Sequence, residues 1–275
     1  MSERVPPHAY FVGSAVFHYL GPAFAVLLFA RVEALGVAWL RIAAAAVVFA
    51  AWRRPWRAGL DWRALVGWGG VLAVMNCCFY LAIDRLPLAT VAAIEFLPVI
   101  ALAALGARTP RNATALALAV PGVYLLTGVR IEGEPLGVAL AFANAGLFAL
   151  YIVLAHRAAQ GAGVDALGIA MLVALVAVTP LAGWAAVPAF GDPVALIAGA
   201  GVGISSSVIP YVFDQLAMAR LPRATYALMV SLLPATATVI GVGVLGQVPS
   251  VAEACGVMLV VAGVGLHRAP EPVPA

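Results

Sequence analysis

Apolar runs of roughly 18 or more residues recur along this chain, and each is long enough to cross a ~30 Å hydrocarbon core. They lie near 9–29, 34–52, 64–83, 87–106, 112–129, 135–155, 166–188, 193–213, 222–246 and 250–267. The pattern predicts an all-α integral membrane protein with ten transmembrane helices. No extended loop interrupts it, so a soluble catalytic or binding domain has no room. The first run is expected to stay in place as a span: its flank, Met1–His8, holds a single Arg and two prolines, and nine more runs follow.

The polar punctuation between runs repeats. Residues 81–90 read LAIDRLPLAT and residues 216–225 read LAMARLPRAT, agreeing at seven of ten positions. The echo reaches Pro98 and Pro234, by which point the offset has grown by one residue. The chain therefore divides into two related halves, 1–133 and 134–275, with five spans each. Five is odd, so the second half must enter the membrane from the opposite side, and the repeat is inverted. An inverted repeat of apolar helices points to a secondary transporter working by alternating access around a shared central site.

Composition and charge sharpen this picture. The chain is 64% hydrophobic and 10% charged, with a mean hydropathy of +1.06. All fifteen basic residues are Arg. With the N-terminus inside, eleven of them fall on inside segments, Arg31, Arg85 and Arg130 fall outside, and Arg41 lies within a span. This bias predicts both termini in the cytoplasm of a bacterial-type inner membrane. The net charge of +3 is thus topological, and nucleic acid is not an expected partner; a small-molecule substrate and the bilayer are, with a single chain as the working unit. Cys77, Cys78 and Cys255 fall within spans, where Cys acts as a small apolar residue, and neither metal nor cofactor is expected.

Ionisable groups at membrane depth cost ~2.5–3.5 kcal/mol on insertion scales, so each needs a reason. Glu95 sits about nine residues below the outer end of the fourth span, near ~13 Å, and Arg41 about seven residues down the second, near ~10 Å. Their depths allow an ion pair, either as a structural tie or as a coupling element; alternatively Glu95 meets substrate or carries protons. His18, Asn76, Asn144 and Ser205 lie mid-span, as packing groups or cavity lining. Tyr80 and Tyr211 lie nearer span ends, with Tyr151, Trp39 and Trp184, where aromatic belts are expected and some rings line a cavity. Asp214 and Gln215 close the eighth run as solvated interfacial groups, and Ser250 with Glu253 reads as a capping box. Pro98, Pro210 and Pro234 predict kinks that release the carbonyl four residues back. For Pro234 that carbonyl is Val230, beside Ser231, a further cavity candidate.

Several segments together resemble a known family. Met75-Asn76-Cys77-Cys78-Phe79-Tyr80, Leu40-Arg41, Pro55-Trp56-Arg57, Ile209-Pro210-Tyr211 with Asp214, then Arg220-Leu221-Pro222, Thr225-Tyr226 and Leu228-Met229 follow the order seen in EamA-type members of the drug/metabolite transporter superfamily. Their similarity is greatest to the threonine/homoserine exporters. Two carboxylates usual in that group are replaced here, by Leu233 and Gln247, and Glu95-Phe96-Leu97-Pro98 is one residue shorter than the usual motif. The resemblance implies two five-helix bundles and export of small metabolites: threonine, homoserine or larger apolar amino acids. Lipophilic drugs or other metabolites are the alternative cargo, and a membrane enzyme or scaffold the alternative class. No nucleotide-binding motif lies outside the spans, and no clustered catalytic side chains suggest an enzyme.

Overall fold

In lipid a backbone N–H or C=O finds its partner only within its own segment or in a closed barrel. The computed structural model describes residues 6–53, 62–95, 97–98, 109–127, 134–159, 163–221, 226 and 233–266, and among them every regular element is helical. These are α1 (Pro7–Leu28), α2 (Ala34–Arg53), α3 (Trp62–Ile83), α4 (Leu88–Glu95), α5 (Pro110–Thr127), α6 (Pro135–Ala159), α7 (Gly163–Ala186), α8 (Pro193–Gly203), α9 (Ile209–Met218), α10 (Leu233–Leu245) and α11 (Val251–Leu266). A 3-10 turn at Val187–Gly191 leads toward α8, and a π turn at Ile204–Val208 runs α8 into α9 as one rod.

Each predicted run coincides with a helix. Six are long and apolar enough to cross a membrane: Ala9–Leu28, Ala34–Arg53, Trp62–Ile83, Pro135–Ala158, Gly163–Gly191 and Pro193–Met218. The remaining described helices are shorter. For the fourth and ninth runs, part of the predicted span lies outside the described residues.

The helices of the two halves interleave. α2 packs along α7, α3 along α6 and α7, α1 along α9 and the π turn, and α5 along α11. Exchanging the halves, with α8–α9 counted as one span, reproduces the pattern. The α1–α9 contact answers α6–α3, α2–α8 answers α7–α3, and α1–α10 answers α6–α4. One pair is tied at both ends. Just before α2, Arg31 Nη1 meets Asp192 Oδ2 beyond the end of α7 at 2.8 Å. At the other end of α2, Arg53 Nε meets Asp165 Oδ1 in the first turn of α7 at 2.7 Å. The two helices therefore run antiparallel. Below, the near face is the one from which α1 starts, and the far face is the one it reaches.

Close helix approach depends on missing side chains. A Cβ on Gly203 would lie 2.6 Å from Ala44 Cβ and 2.7 Å from the Arg41 carbonyl oxygen, so α8 touches the backbone of α2 there. Gly203→Leu should wedge the two apart at a cost of about 1–3 kcal/mol. The expected readout is a lower yield of monodisperse protein and a lower Tm in detergent. Gly201→Leu, which meets nothing within 4 Å, should leave both unchanged.

Candidate functional site

Pro210 organises one side of the interior. Without an N–H, proline cannot bond the carbonyl four residues earlier, and that carbonyl belongs to Ser206. Arg41, reaching across from α2, takes it: Nη2 donates to Ser206 O at 2.6 Å, and Nε donates to Ser207 Oγ at 2.6 Å. Nη2 also approaches the Tyr211 hydroxyl at 3.3 Å. The guanidinium carbon sits over the Tyr80 and Tyr211 rings, 5.5 and 5.8 Å from their centroids. A charge only 3% exposed is thus held by a backbone carbonyl at the π turn, a hydroxyl and two aromatic faces.

Glu95, also 3% exposed, has its own scaffold. Asn144 Nδ2 of α6 donates to Oε1 at 2.8 Å, and the Tyr19 hydroxyl of α1 donates to Oε2 at 3.1 Å. The predicted Arg41–Glu95 ion pair is therefore not formed. Matching depth brought both charges to the interior, but each side chain is committed to donors or acceptors on a different helix. They stay within coulombic range of each other without touching.

A second carboxylate is buried where the sequence predicts a solvated one. Asp214 and Gln215 are each 2% exposed, not solvated at an interface. The predicted eighth run stopped at 213, whereas α9 continues to Met218 and draws both residues inward. Ser14 Oγ of α1 donates to Asp214 Oδ1 and lies 3.2 Å from the Pro210 carbonyl oxygen. Tyr226 also hydrogen-bonds Asp214, and Gln215 Nε2 donates to the Ala155 carbonyl at 3.3 Å.

Other predicted residues divide clearly. Asn76 is buried, donates to the Leu72 carbonyl at 2.7 Å and adjoins Tyr211. His18 packs among Tyr19, Phe148 and Tyr211, with ring centroids 5.8 to 6.1 Å away. Tyr80, Tyr151 and Tyr211 are fully buried, at 0%, 1% and 1% exposure; they are interior rings, not belt residues. Trp184, 61% exposed, does suit a belt. Ser205 does not join the polar interior. Its hydroxyl bonds back to the Gly201 carbonyl at 2.8 Å, and it lines a groove of about 500 Å³ with Phe24, Leu27 and Val194, because the π turn points its neighbours Ser206 and Ser207 inward instead. The π turn ends two residues before Pro210, marking the expected irregularity. Pro98 is helical and half-buried just beyond α4, and Pro234 falls in the first turn of α10. Ser231 lies outside the described residues. The capping box holds: Ser250 N donates to Glu253 Oε2 at 2.8 Å and Glu253 N to Ser250 Oγ at 3.2 Å. Cys77, Cys78 and Cys255 are free thiols.

Residues 135–268 match the EamA-like transporter family. The threonine/homoserine exporter RhtA of Escherichia coli K12 is 33% identical over 233 residues, covering 82% of this chain and 79% of that protein. The chain belongs to the EamA-like transporter family. The Salmonella typhimurium threonine/homoserine exporter RhtA is 31% identical over the same length. A solved structure, described only as the crystal structure of a protein, is 20% identical. It superposes with a TM-score of 0.63 over 95% of this chain and 96% of that one, a likeness of fold. This EamA-like chain is accordingly a multi-pass membrane protein, and its named relatives are exporters. The matched region holds Asn144, Ser206, Ser207, Tyr211 and Asp214, while Ser14, Tyr19, Arg41 and Glu95 come from the other half. The polar interior of this family member is thus built jointly by both halves.

At the far face Asp192 caps α8, its Oδ1 accepting from Val194 N and Ala195 N at 2.9 and 3.2 Å. The Arg31 hydrogen bond, helped by the Ala195 amide, holds its carboxyl below the usual aspartate value of 3.8. A depressed carboxyl stabilises the fold above the unfolded-state value and loses that contribution as pH falls through the folded one. Asp192→Ala should therefore lower Tm at neutral pH, and thermal scans carried into the acid range below the ordinary aspartate value should show the gap to the parent protein closing.

Proposed function

We propose that this protein exports zwitterionic amino acids, threonine and homoserine or larger apolar ones, across a bacterial inner membrane. In this reading ten helices form two inverted five-helix repeats, 1–133 and 134–275, which exchange conformations in alternating access with both termini cytoplasmic and a single chain sufficient. One observation carries it: two buried, opposite charges are held apart on separate scaffolds instead of neutralising each other. A free amino acid presents the complementary pair, an ammonium for Glu95 with Asn144 and Tyr19, and a carboxylate for the field of Arg41. Between them lie Tyr80, Tyr211, His18 and Phe148, rings that tolerate a range of apolar side chains. The names of the relatives and the symmetric packing of helices from both halves support the same reading.

Reconstituted protein tests it. Liposomes preloaded with threonine or homoserine should show saturable counterflow that other amino acids compete for and that simple amines or carboxylic acids do not. Flux of lipophilic cations with no amino-acid exchange would favour the drug-exporter alternative instead. Cysteine labelling at position 268 in intact cells, in a Cys-free background, should fail from the periplasmic side and succeed at position 132.

A further inference from the structure

Asp214 is a carboxylate that substrate recognition by Glu95 and Arg41 does not use. Among the described residues no Arg pairs with it. The groups that face it among the described residues are hydroxyls: Ser14 from α1, Tyr226, Tyr151 from α6 and Tyr211 on α9 itself. α7, which also packs on α9, contributes one charged residue, Asp165, and that is tied to Arg53. Two cavities lined by described residues at the far face do not reach Asp214; Thr90, Gln247 and Glu253 line one, and Phe24 and Ser205 the other.

The decisive detail is the Ser14 hydroxyl. It has one hydrogen and two acceptors in reach, Asp214 Oδ1 and the Pro210 carbonyl oxygen at 3.2 Å. With Asp214 charged, Ser14 gives its hydrogen to the carboxylate. When Asp214 is protonated, its own hydrogen goes to the Ser14 oxygen and the Ser14 hydrogen turns to Pro210. Both protonation states are then satisfied by a hydroxyl rotation, without moving a heavy atom. A site enclosed this tightly suits a ligand that needs no volume.

α6 connects this site to the other. Asn144, Phe148, Tyr151 and Ala155 follow at four-, three- and four-residue steps, one face of the helix. Asn144 bonds Glu95 and the Ala155 carbonyl accepts from Gln215. α1 likewise touches both, through Tyr19 and Ser14. At 1.5 Å per residue the two carboxylates stand roughly 8–11 Å apart along the helix axes.

We propose that Asp214, with Ser14 and Tyr226, is a proton-binding site on the near-face side of the polar interior, alternating between carboxylate and carboxylic acid as substrate occupies and leaves the Glu95 site. The proton comes from water at one face and returns to water, with no other bond made or broken. This deepens the transport reading, and the coupling half of the test rests on it.

Infrared difference spectra of the full chain in lipid, recorded on stepping the pH without substrate, address the site directly. A protonated-carboxyl stretch should appear on acidification, vanish in Asp214→Asn and shift its midpoint in Ser14→Ala. In liposomes, Asp214→Asn should retain threonine counterflow but lose about tenfold of the accumulation driven by an imposed pH gradient. Absence of a band sensitive to Asp214→Asn overturns the proposal even if amino acids are transported. Gradient-driven accumulation within twofold of the parent protein overturns it as well. Should Asp214→Asn fold poorly, Ser14→Ala carries the test: an unchanged midpoint sinks the idea. If no amino acid moves at all, the transport reading fails while the infrared result still decides the site.

Discussion

Glu95→Gln should fold to near parental yield and export its substrate about 10- to 100-fold more slowly, the loss of one charge-assisted hydrogen bond worth about 1.5–3 kcal/mol. Glutamine keeps an acceptor for Asn144 or Tyr19, so the local network survives, but it presents no negative charge to an ammonium. Because Arg41 does not lean on Glu95, the joint change Glu95→Gln with Arg41→Met should restore nothing. Counterflow rates beside size-exclusion yield distinguish the outcomes. Rescue by the double variant would mean that the two charges are a static pair after all, and normal flux in the single variant would remove Glu95 from the site.

Arg41 should behave in the opposite way, with folding failing first. Arg41→Met strands the Ser206 carbonyl, which Pro210 has already deprived of its helical partner, and an unsatisfied buried acceptor of this kind costs about 1–3 kcal/mol. It also strips the cation from two aromatic faces, worth about 2 kcal/mol when desolvated. Yield and Tm should both fall. Arg41→Lys should recover only part of the loss, since an ammonium is a point charge without the planar fork that serves Ser206 and Ser207 together. A Tm for Arg41→Lys equal to that of the parent protein would show that charge alone suffices.

Much of this molecule is readable from its hydropathy. Among the described residues every apolar run holds a helix, because lipid forces that choice locally, and the Ser250–Glu253 cap obeys a local rule as well. Partnership is another matter. Depth along a helix follows from counting residues, whereas facing depends on rotation and on which helix lies opposite. Arg41 and Glu95 share a depth but not a neighbour. The true partner of Arg41 had a sequence signature, a proline four residues after Ser206 with hydroxyls around it. Asp214 was missed because a polar residue at the end of an apolar run looks like an interface; its burial comes from Ser14, 200 residues away in sequence, and from Tyr226. The role of Tyr19 as a donor to Glu95 carried no local sign.

The tie between α2 and α7 bears on which parts can move. These helices belong to different sequence halves, yet they pack along their length and are fastened by Arg31–Asp192 at one end and Arg53–Asp165 at the other. If transport proceeds by the proposed rocking, the extensive α2–α7 packing makes these two helices expected to move together. Under the proposed two-repeat, alternating-access reading, the sequence repeat and the moving bodies would be cut along different lines, each body borrowing helices from both halves of the chain. A crosslink between α2 and α7 should accordingly leave turnover intact, while one from either of them to a helix of the opposing body should stop it.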